Sequence, residues 1–383
     1  MASWVDPAML WPALTAIPGD GAEARAALEG ALAATFGADA VLLMQSGTAA
    51  LVSALRLAAG PGGIVALPGY ACADLVAAAV GAELTVRVYD IDPATLSPDL
   101  ESVAAALAQG VNAVVVAHLF GYPADVTGVR ALAAQAGVPV IEDAAQGAGA
   151  RVNGRLVGSL SELSILSFGR GKGMSGGGGG ALLAYGADAA ARLAPVAASL
   201  GPAGTGARAL VVSAAQWLLG RPSAYWLPSH LPGLRLGEMV YHTAPEPAGI
   251  GTAAAILARS ALAHIAEDVA VRGANAQVLS SGLRKTALTA APIFGAEPGY
   301  LRFPVLVPGG AVSSPRLGIL VPYPRTLLEQ HELQPLLLAG QQPTAGAERL
   351  CRELVTLPTH YRVTAVDLAG LQGWLDRLDQ LGE

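Results

Sequence analysis

One lysine, Lys172, stands in the run Ser167-Phe168-Gly169-Arg170-Gly171-Lys172-Gly173-Met174-Ser175, ahead of the glycines Gly176 to Gly180. Its neighbours are too small to cover it, and the apolar Leu163, Ile165 and Leu166 come just before it. An amine so placed must be solvated, paired or used covalently, and glycine on both sides lets backbone approach a ligand closely. Taken alone, the run also reads as a surface loop that holds a lysine. Upstream, Ala40 to Met44 reads as a short strand that runs into Gln45-Ser46-Gly47-Thr48 and then a helix. Such a turn aims backbone N–H groups and the helix dipole at an anion, typically a phosphate, although Ser or Thr there also serves as a plain N-cap. Asp143 ends the apolar run Val138 to Ile141. Its carboxylate is expected in a partly buried pocket with a cationic or protonated partner, the alternative being a helix cap.

A phosphate turn, a strand-end aspartate and a lysine on a following glycine-rich loop are together the parts of a pyridoxal 5'-phosphate (PLP) site. The lysine forms the Schiff base, the aspartate keeps the pyridine nitrogen protonated, and the turn holds the phosphate. The elements that must position them alternate. Strands are expected at Ile64 to Leu67, Leu84 to Tyr89, Ala113 to Ala117 and Val138 to Ile141, with helices at Asp74 to Val80, Pro98 to Ala108 and Val126 to Gln135. That order predicts an α/β chain with a mainly parallel sheet. Ligands in such sheets sit beyond the carboxyl ends of the strands, where Ser46-Gly47-Thr48, Asp143 and the Lys172 loop all fall.

After Ala184 the pattern changes. Ala187 to about Leu236 reads as helical and apolar, and Ala253 to Leu283 as one long helix. Arg302 to Val307 and Gly318 to Val321 read as strands of a smaller α+β domain closed by a helix from Val366 to Leu381. A division near the Pro- and Gly-rich Tyr241 to Ile250 gives a large domain, residues 1–245, with an apolar helical insert at about 200–236, and a small one, residues 246–383.

The chain has 383 residues, 53% of them hydrophobic, enough for a large core and two domains. With a net charge of −6 and no Lys/Arg-rich run, it does not read as a nucleic-acid binder. Cys72 and Cys351 are far apart, so neither a disulfide framework nor a zinc site is indicated, and a reducing, cytoplasmic setting fits. Met1 to Pro18 lacks the basic start and apolar stretch of a signal peptide. The most apolar segment, Ala209 to Gly220, is short of the roughly 20 residues that a spanning helix needs. It reads as a buried helix, with a membrane surface or a partner protein as the alternatives.

These residues carry a resemblance. The chain resembles the DegT/DnrJ/EryC1/StrS family of PLP-dependent aminotransferases in Ser46-Gly47-Thr48-Ala49-Ala50-Leu51, His118-Leu119-Phe120-Gly121, Glu142-Asp143-Ala144-Ala145-Gln146, Ser167-Phe168 followed by Lys172, and Gly179-Gly180-Ala181. Leu301-Arg302-Phe303-Pro304 and Leu357-Pro358-Thr359-His360 resemble the family's C-terminal part. The resemblance implies the fold type I PLP-transferase architecture, a homodimer, and transfer of an amino group from glutamate or glutamine to a keto-sugar, often nucleotide-linked. It implies Lys172 as the Schiff-base lysine and proton shuttle, Asp143 on the pyridine nitrogen, Gln146 on the ring hydroxyl, and Gly47, Thr48 and Ser167 on the phosphate; His118 reads first as a structural histidine. The chain departs from the family where an aromatic residue usually stacks on the ring, since Cys72 holds that position. Either Tyr70 moves in to stack or a sulfur contact replaces the ring. The family's Asn-Tyr-Arg-Met stretch has no counterpart near Tyr241 to Gly251, and the apolar insert from Ala207 to Leu227 is atypical, fitting an apolar substrate or a partner.

Two other chemistries bear on the same residues. Gly173-Met174-Ser175-Gly176-Gly177 comes close to the nucleophile elbow of serine hydrolases, but no helix is expected after it. The site parts would also serve other PLP reactions, such as decarboxylation, retro-aldol cleavage or dehydration.

Overall fold

The structure is a computed structural model and describes residues 5–17, 19, 21–219, 241–283, 289–307 and 309–381. Its centre is a seven-stranded sheet. In chain order the strands are β1 (Ala40–Met44), β2 (Ile64–Pro68), β3 (Thr85–Tyr89), β4 (Ala113–Ala117), β5 (Val140–Asp143), β6 (Leu163–Ser167) and β7 (Gly180–Ala184). They lie side by side in the order β1-β7-β6-β5-β4-β2-β3, and only β7 runs against its neighbours.

β4 shows why the sheet is buried on both faces. Val114 and Val116 join the core on one side, while Ala113, Val115 and Ala117 join the core on the other. Successive side chains in a strand point to opposite faces, so a strand covered by helices on both sides must be apolar throughout. Burying each of these valines contributes about 1.5–3 kcal/mol.

The antiparallel β7 matters most for the site. Ser167 at the end of β6 pairs with Gly180 at the start of β7, and Gly180 also pairs with Met44 at the end of β1. The loop between β6 and β7 therefore leaves and re-enters the sheet at the edge where β1 ends. Asp143 reaches the same edge, pairing with Ile165 of β6 and Ala117 of β4. A side chain on Gly180 would come within 2.6 Å of the Gly47 nitrogen, so only glycine permits this approach of β7 to the turn after β1.

The second core is small. It joins Leu279 of the helix Ile265–Ser281 with Phe303 and Val305 of β8 (Arg302–Leu306), Val355 and Leu357 of β9 (Leu354–Pro358), and Leu371 and Leu375 of the helix Ala365–Leu381. The two C-terminal family-like stretches are partners in it: Arg302 pairs with Pro358 and Phe303 with Leu357. Helix Thr252–Ala263 instead gives Ala254, Ala255, Ala258 and Leu262 to the main core.

Two sequence expectations change here. The segment read as one helix from Ala253 to Leu283 is two, Thr252–Ala263 and Ile265–Ser281, broken at His264. Gly318 to Val321 forms no strand, only isolated bridges of Ile319 to Ser314 and Leu320 to Thr356. Of the apolar helical stretch, Ala189–Ser199 and Ala207–Leu219 are helices, and its continuation from residue 220 to Leu236 lies outside the described residues. No helix among the described residues is long and apolar enough to cross a membrane.

Candidate functional site

Beyond the ends of β1, β2, β4, β5 and β6 lies a small inner pocket of about 30 Å³, and beside it a cavity of about 950 Å³. Both are lined by Gly47, Thr48, Asp74, Ser167 and Lys172. The inner pocket also takes in Asp143, Gln146, Cys72 and His118. Residues far apart in the chain thus converge because five separate strand-to-helix or strand-to-loop exits meet at one sheet edge.

The turn after β1 is built for close packing. Ser46 caps the helix Gly47–Ala59 by accepting from the Ala49 N–H at 3.0 Å. Gly47 comes next because Ser167 lies against it: a Cβ there would sit 2.6 Å from the Ser167 Cβ. Gly47 and Thr48 therefore bring the start of the helix, with its dipole, to the pocket wall beside Ser167.

Asp143 accepts from the Ala145 N–H at 3.0 Å, and burial raises its carboxyl above the ordinary aspartate value, opposed by that hydrogen bond and by Lys172. Burial alone would lower Lys172. The negative forms of Cys72, Asp74 and Asp143 outweigh it and hold the ammonium above the usual lysine range. Burial and Asp74 push the Cys72 thiol up to about 12.

The neighbouring glutamate anchors this edge of the sheet. Fully buried Glu142 accepts at Oε1 from His118 Nε2 (3.0 Å) and the Gly158 N–H (2.6 Å), and at Oε2 from the Leu160 N–H (2.8 Å) and Ser164 Oγ (2.7 Å). Burial would raise its carboxyl, yet these bonds, led by that from His118, hold it below the usual value. The Ala124 N–H donates to His118 Nδ1 at 2.9 Å, which puts the ring proton on Nε2, facing Glu142. Both ring nitrogens of His118 are thus committed to holding the fold.

Lys172, Asp143, Gly47, Thr48, Cys72, Gln146 and Ser167 all line the inner pocket. Tyr70 is the correction. It is fully buried one layer back, its ring 5.0 Å from that of Tyr323 in an edge-on contact, and it does not line the pocket. Cys72, the N-cap of helix Ala73–Ala82, occupies that side instead. Gln146 spans two elements: its Oε1 accepts from the Phe120 N–H (3.1 Å) and its Nε2 donates to the Tyr323 hydroxyl (2.6 Å).

Two polar residues of the inner pocket escaped the sequence reading. Tyr323 comes from the irregular stretch after Ile319 and stacks on Phe120 at 5.8 Å; the one available signal was an aromatic residue between Pro322 and Pro324. Asp74 lies in the first turn of its helix and accepts from Thr48 Oγ1 at 3.4 Å. Ser175, the serine of the elbow-like pentapeptide, is buried and donates to Gln216 Oε1 at 3.1 Å. Glycines and β7 follow it rather than a helix, so the nucleophile-elbow geometry does not form.

Residues 19–201 match the model of the DegT/DnrJ/EryC1/StrS aminotransferase family. L-glutamine:2-deoxy-scyllo-inosose aminotransferase of Streptoalloteichus tenebrarius is 39% identical over 149 residues, which are 39% of this chain and 35% of that protein. UDP-N-acetyl-3-dehydro-alpha-D-glucosamine 3-aminotransferase of Acidithiobacillus ferrooxidans is 35% identical over 158 residues, 41% of this chain and 43% of that protein. The chain thus spans 35% and 43% of the length of these two curated relatives. Among solved structures, 3-amino-5-hydroxybenzoic acid synthase superposes with a TM-score of 0.74 at 21% identity, over 100% of this chain and 98% of that one. At that identity the likeness speaks for the fold alone.

Proposed function

We propose, for a chain whose residues 19–201 match the model of the DegT/DnrJ/EryC1/StrS aminotransferase family, a PLP-dependent transfer of an amino group from glutamate or glutamine to a keto-sugar. One observation carries the reading: Lys172, Asp143 and the Gly47-Thr48 turn line the same pocket at the carboxyl edge of the sheet. The names of the two curated relatives, one a glutamine-dependent and one a UDP-sugar aminotransferase, agree with it.

The residues fit the cofactor on their own chemistry. Gly47 leaves a cradle that a single Cβ would fill against Ser167, and the donor set pairs an amine with a buried carboxylate. Gly47, Thr48 and Ser167 would hold the phosphate, Asp143 the pyridine nitrogen, and Gln146, with Cys72 opposite, the ring. When bound, the cofactor supplies an electron sink for the carbon that carries the migrating amino group. Asp143 would keep a proton on the ring nitrogen, its burial strengthening that ion pair. Lys172 Nζ would hold the cofactor's aldehyde carbon and, once displaced by the donor amine, carry a proton between substrate and cofactor carbons.

A second copy of the chain is part of this reading. Trp11, Leu14, Val211 and Leu218 are exposed on two helices that pack together, Leu10–Thr15 and Ala207–Leu219, an apolar surface suited to a homodimer. Light scattering on the purified chain tests the dimer. Supplying glutamine and PLP and following the cofactor to its amino form tests the transfer; formation of product without that conversion would move the reaction to another PLP class.

A further inference from the structure

Two carboxylates, Asp143 and Asp74, are found among the described residues that line the two pockets. Asp143 ends β5 and suits a ring nitrogen. Asp74 lies instead against the residues assigned to the phosphate. Thr48 Oγ1 donates to its Oδ1 at 3.4 Å, and Gly47 and Ser167 line both pockets with it. A phosphate cradle calls for donors, and a carboxylate within it repels the anion that the cradle is built to hold.

The place of Asp74 in its helix does not explain these contacts. An acid in the first turn of Ala73–Ala82 is favoured by the dipole wherever its oxygens point. Here both oxygens meet side chains of the pocket, Oδ1 the Thr48 hydroxyl and Oδ2 the Cys72 thiol at 3.8 Å. A threonine hydroxyl has one proton to give, so Thr48 donates either to Asp74 or to a phosphate, never to both. Asp74 is exposed and lines the large cavity as well, which leaves water to receive its carboxylate when another anion takes the hydroxyl. Exposed contacts of this kind are weak and exchange readily.

From this we propose that Asp74 is an internal competitor for the phosphate cradle, supplying the anion at Thr48 while the cofactor is absent and yielding that hydroxyl when PLP binds. The inference rests on the reading above. It makes Asp74 the residue that sets how strongly the chain prefers a phosphorylated cofactor. With Asp74 in place, PLP is distinguished from its unphosphorylated aldehyde less sharply than Gly47, Thr48 and Ser167 alone would allow.

The test dialyses the full chain and Asp74→Ala to equilibrium against PLP and, separately, against pyridoxal, and takes the ratio of the two affinities. Asp74 also acts on the Lys172 amine, whose value burial lowers and Cys72, Asp74 and Asp143 raise. Both aldehydes meet that amine, so its part cancels in the ratio. The proposal predicts that the preference for PLP over pyridoxal rises about threefold or more in Asp74→Ala; a smaller rise, or a fall, overturns it. Asp74→Asn, closer in shape, should move the ratio the same way and answers for Asp74→Ala should that variant melt early. A chain that takes up neither aldehyde, in the parent and in both variants, fails the functional reading. Asp74 is then decided by calorimetric titration with inorganic phosphate, which Asp74→Ala should bind about threefold or more tightly than the parent; equal binding, or none in either chain, overturns the proposal.

Discussion

Replacing Glu142 by glutamine isolates what holds the Asp143 strand in place. The carboxylate receives four donors, two on each oxygen. An amide offers one oxygen and one nitrogen, so two donors must face an N–H₂ group. If the nitrogen takes the Oε1 side, the Gly158 N–H and His118 Nε2 both lose their acceptor, and His118 cannot move its proton because Nδ1 already accepts from Ala124. If it takes the Oε2 side, Ser164 can rotate its hydroxyl and accept, and only the Leu160 N–H is stranded. The second arrangement is cheaper. It forfeits one hydrogen bond to a charged group, about 1.5–3 kcal/mol, and turns three others into neutral ones worth roughly 1 kcal/mol less each. The change therefore costs about 4–6 kcal/mol, a large share of the 5–15 kcal/mol that typically holds a domain together. Urea unfolding of Glu142→Gln should show a midpoint lowered accordingly. A loss below about 1 kcal/mol would refute the claim that this carboxylate anchors the site edge.

Other perturbations follow from the same geometry. Because burial raises the Asp143 carboxyl, the folded chain keeps that proton to higher pH than the unfolded one, and ionising it weakens the cofactor-free fold as pH rises through the raised value. Asp143→Asn should thus leave the cofactor-free melting temperature at neutral pH equal or higher while sharply weakening PLP binding; a lower melting temperature would contradict this. The ammonium of Lys172 is held above its usual value, so the rate of PLP uptake should climb with pH as the amine loses its proton, and Asp74→Asn should speed uptake at neutral pH. Slower uptake in that variant, followed by absorbance, would count against the charge pairing. Gly47→Ala would drive a methyl to 2.6 Å from Ser167, costing about 1–3 kcal/mol by overpacking, and should lower PLP affinity. Melting curves with and without the cofactor separate the two effects.

The motifs that declared themselves in the sequence are those whose chemistry is local. Ser46-Gly47-Thr48 combines a strand end, a cap and a helix start within a few residues, and Lys172 is flanked by glycines that serve no regular element. Asp143 was legible because the run before it is apolar. Asp74 was not, since an acid in the first turn of a helix is what the helix dipole favours anyway. Tyr323 reaches the pocket through Gln146, 177 residues earlier in the chain, and only the tertiary fold makes that pairing. Choosing between Tyr70 and Cys72 needed the path of a turn that neither alternation nor helical spacing fixes. The break at His264 carried no glycine or proline, so the alanine-rich pattern ran through it. Gly318 to Val321 had a strand's composition but found only bridging partners.

The central claim is that Lys172 carries the cofactor. It is tested most directly by incubating the full chain and Lys172→Ala with PLP, reducing both with borohydride, and mapping the product by peptide mass. The account predicts a visible absorbance band in the parent chain, lost on adding glutamate or glutamine, and a reduced pyridoxyl group on Lys172 alone. A band of equal strength in Lys172→Ala, or a pyridoxyl group on another lysine, would contradict it.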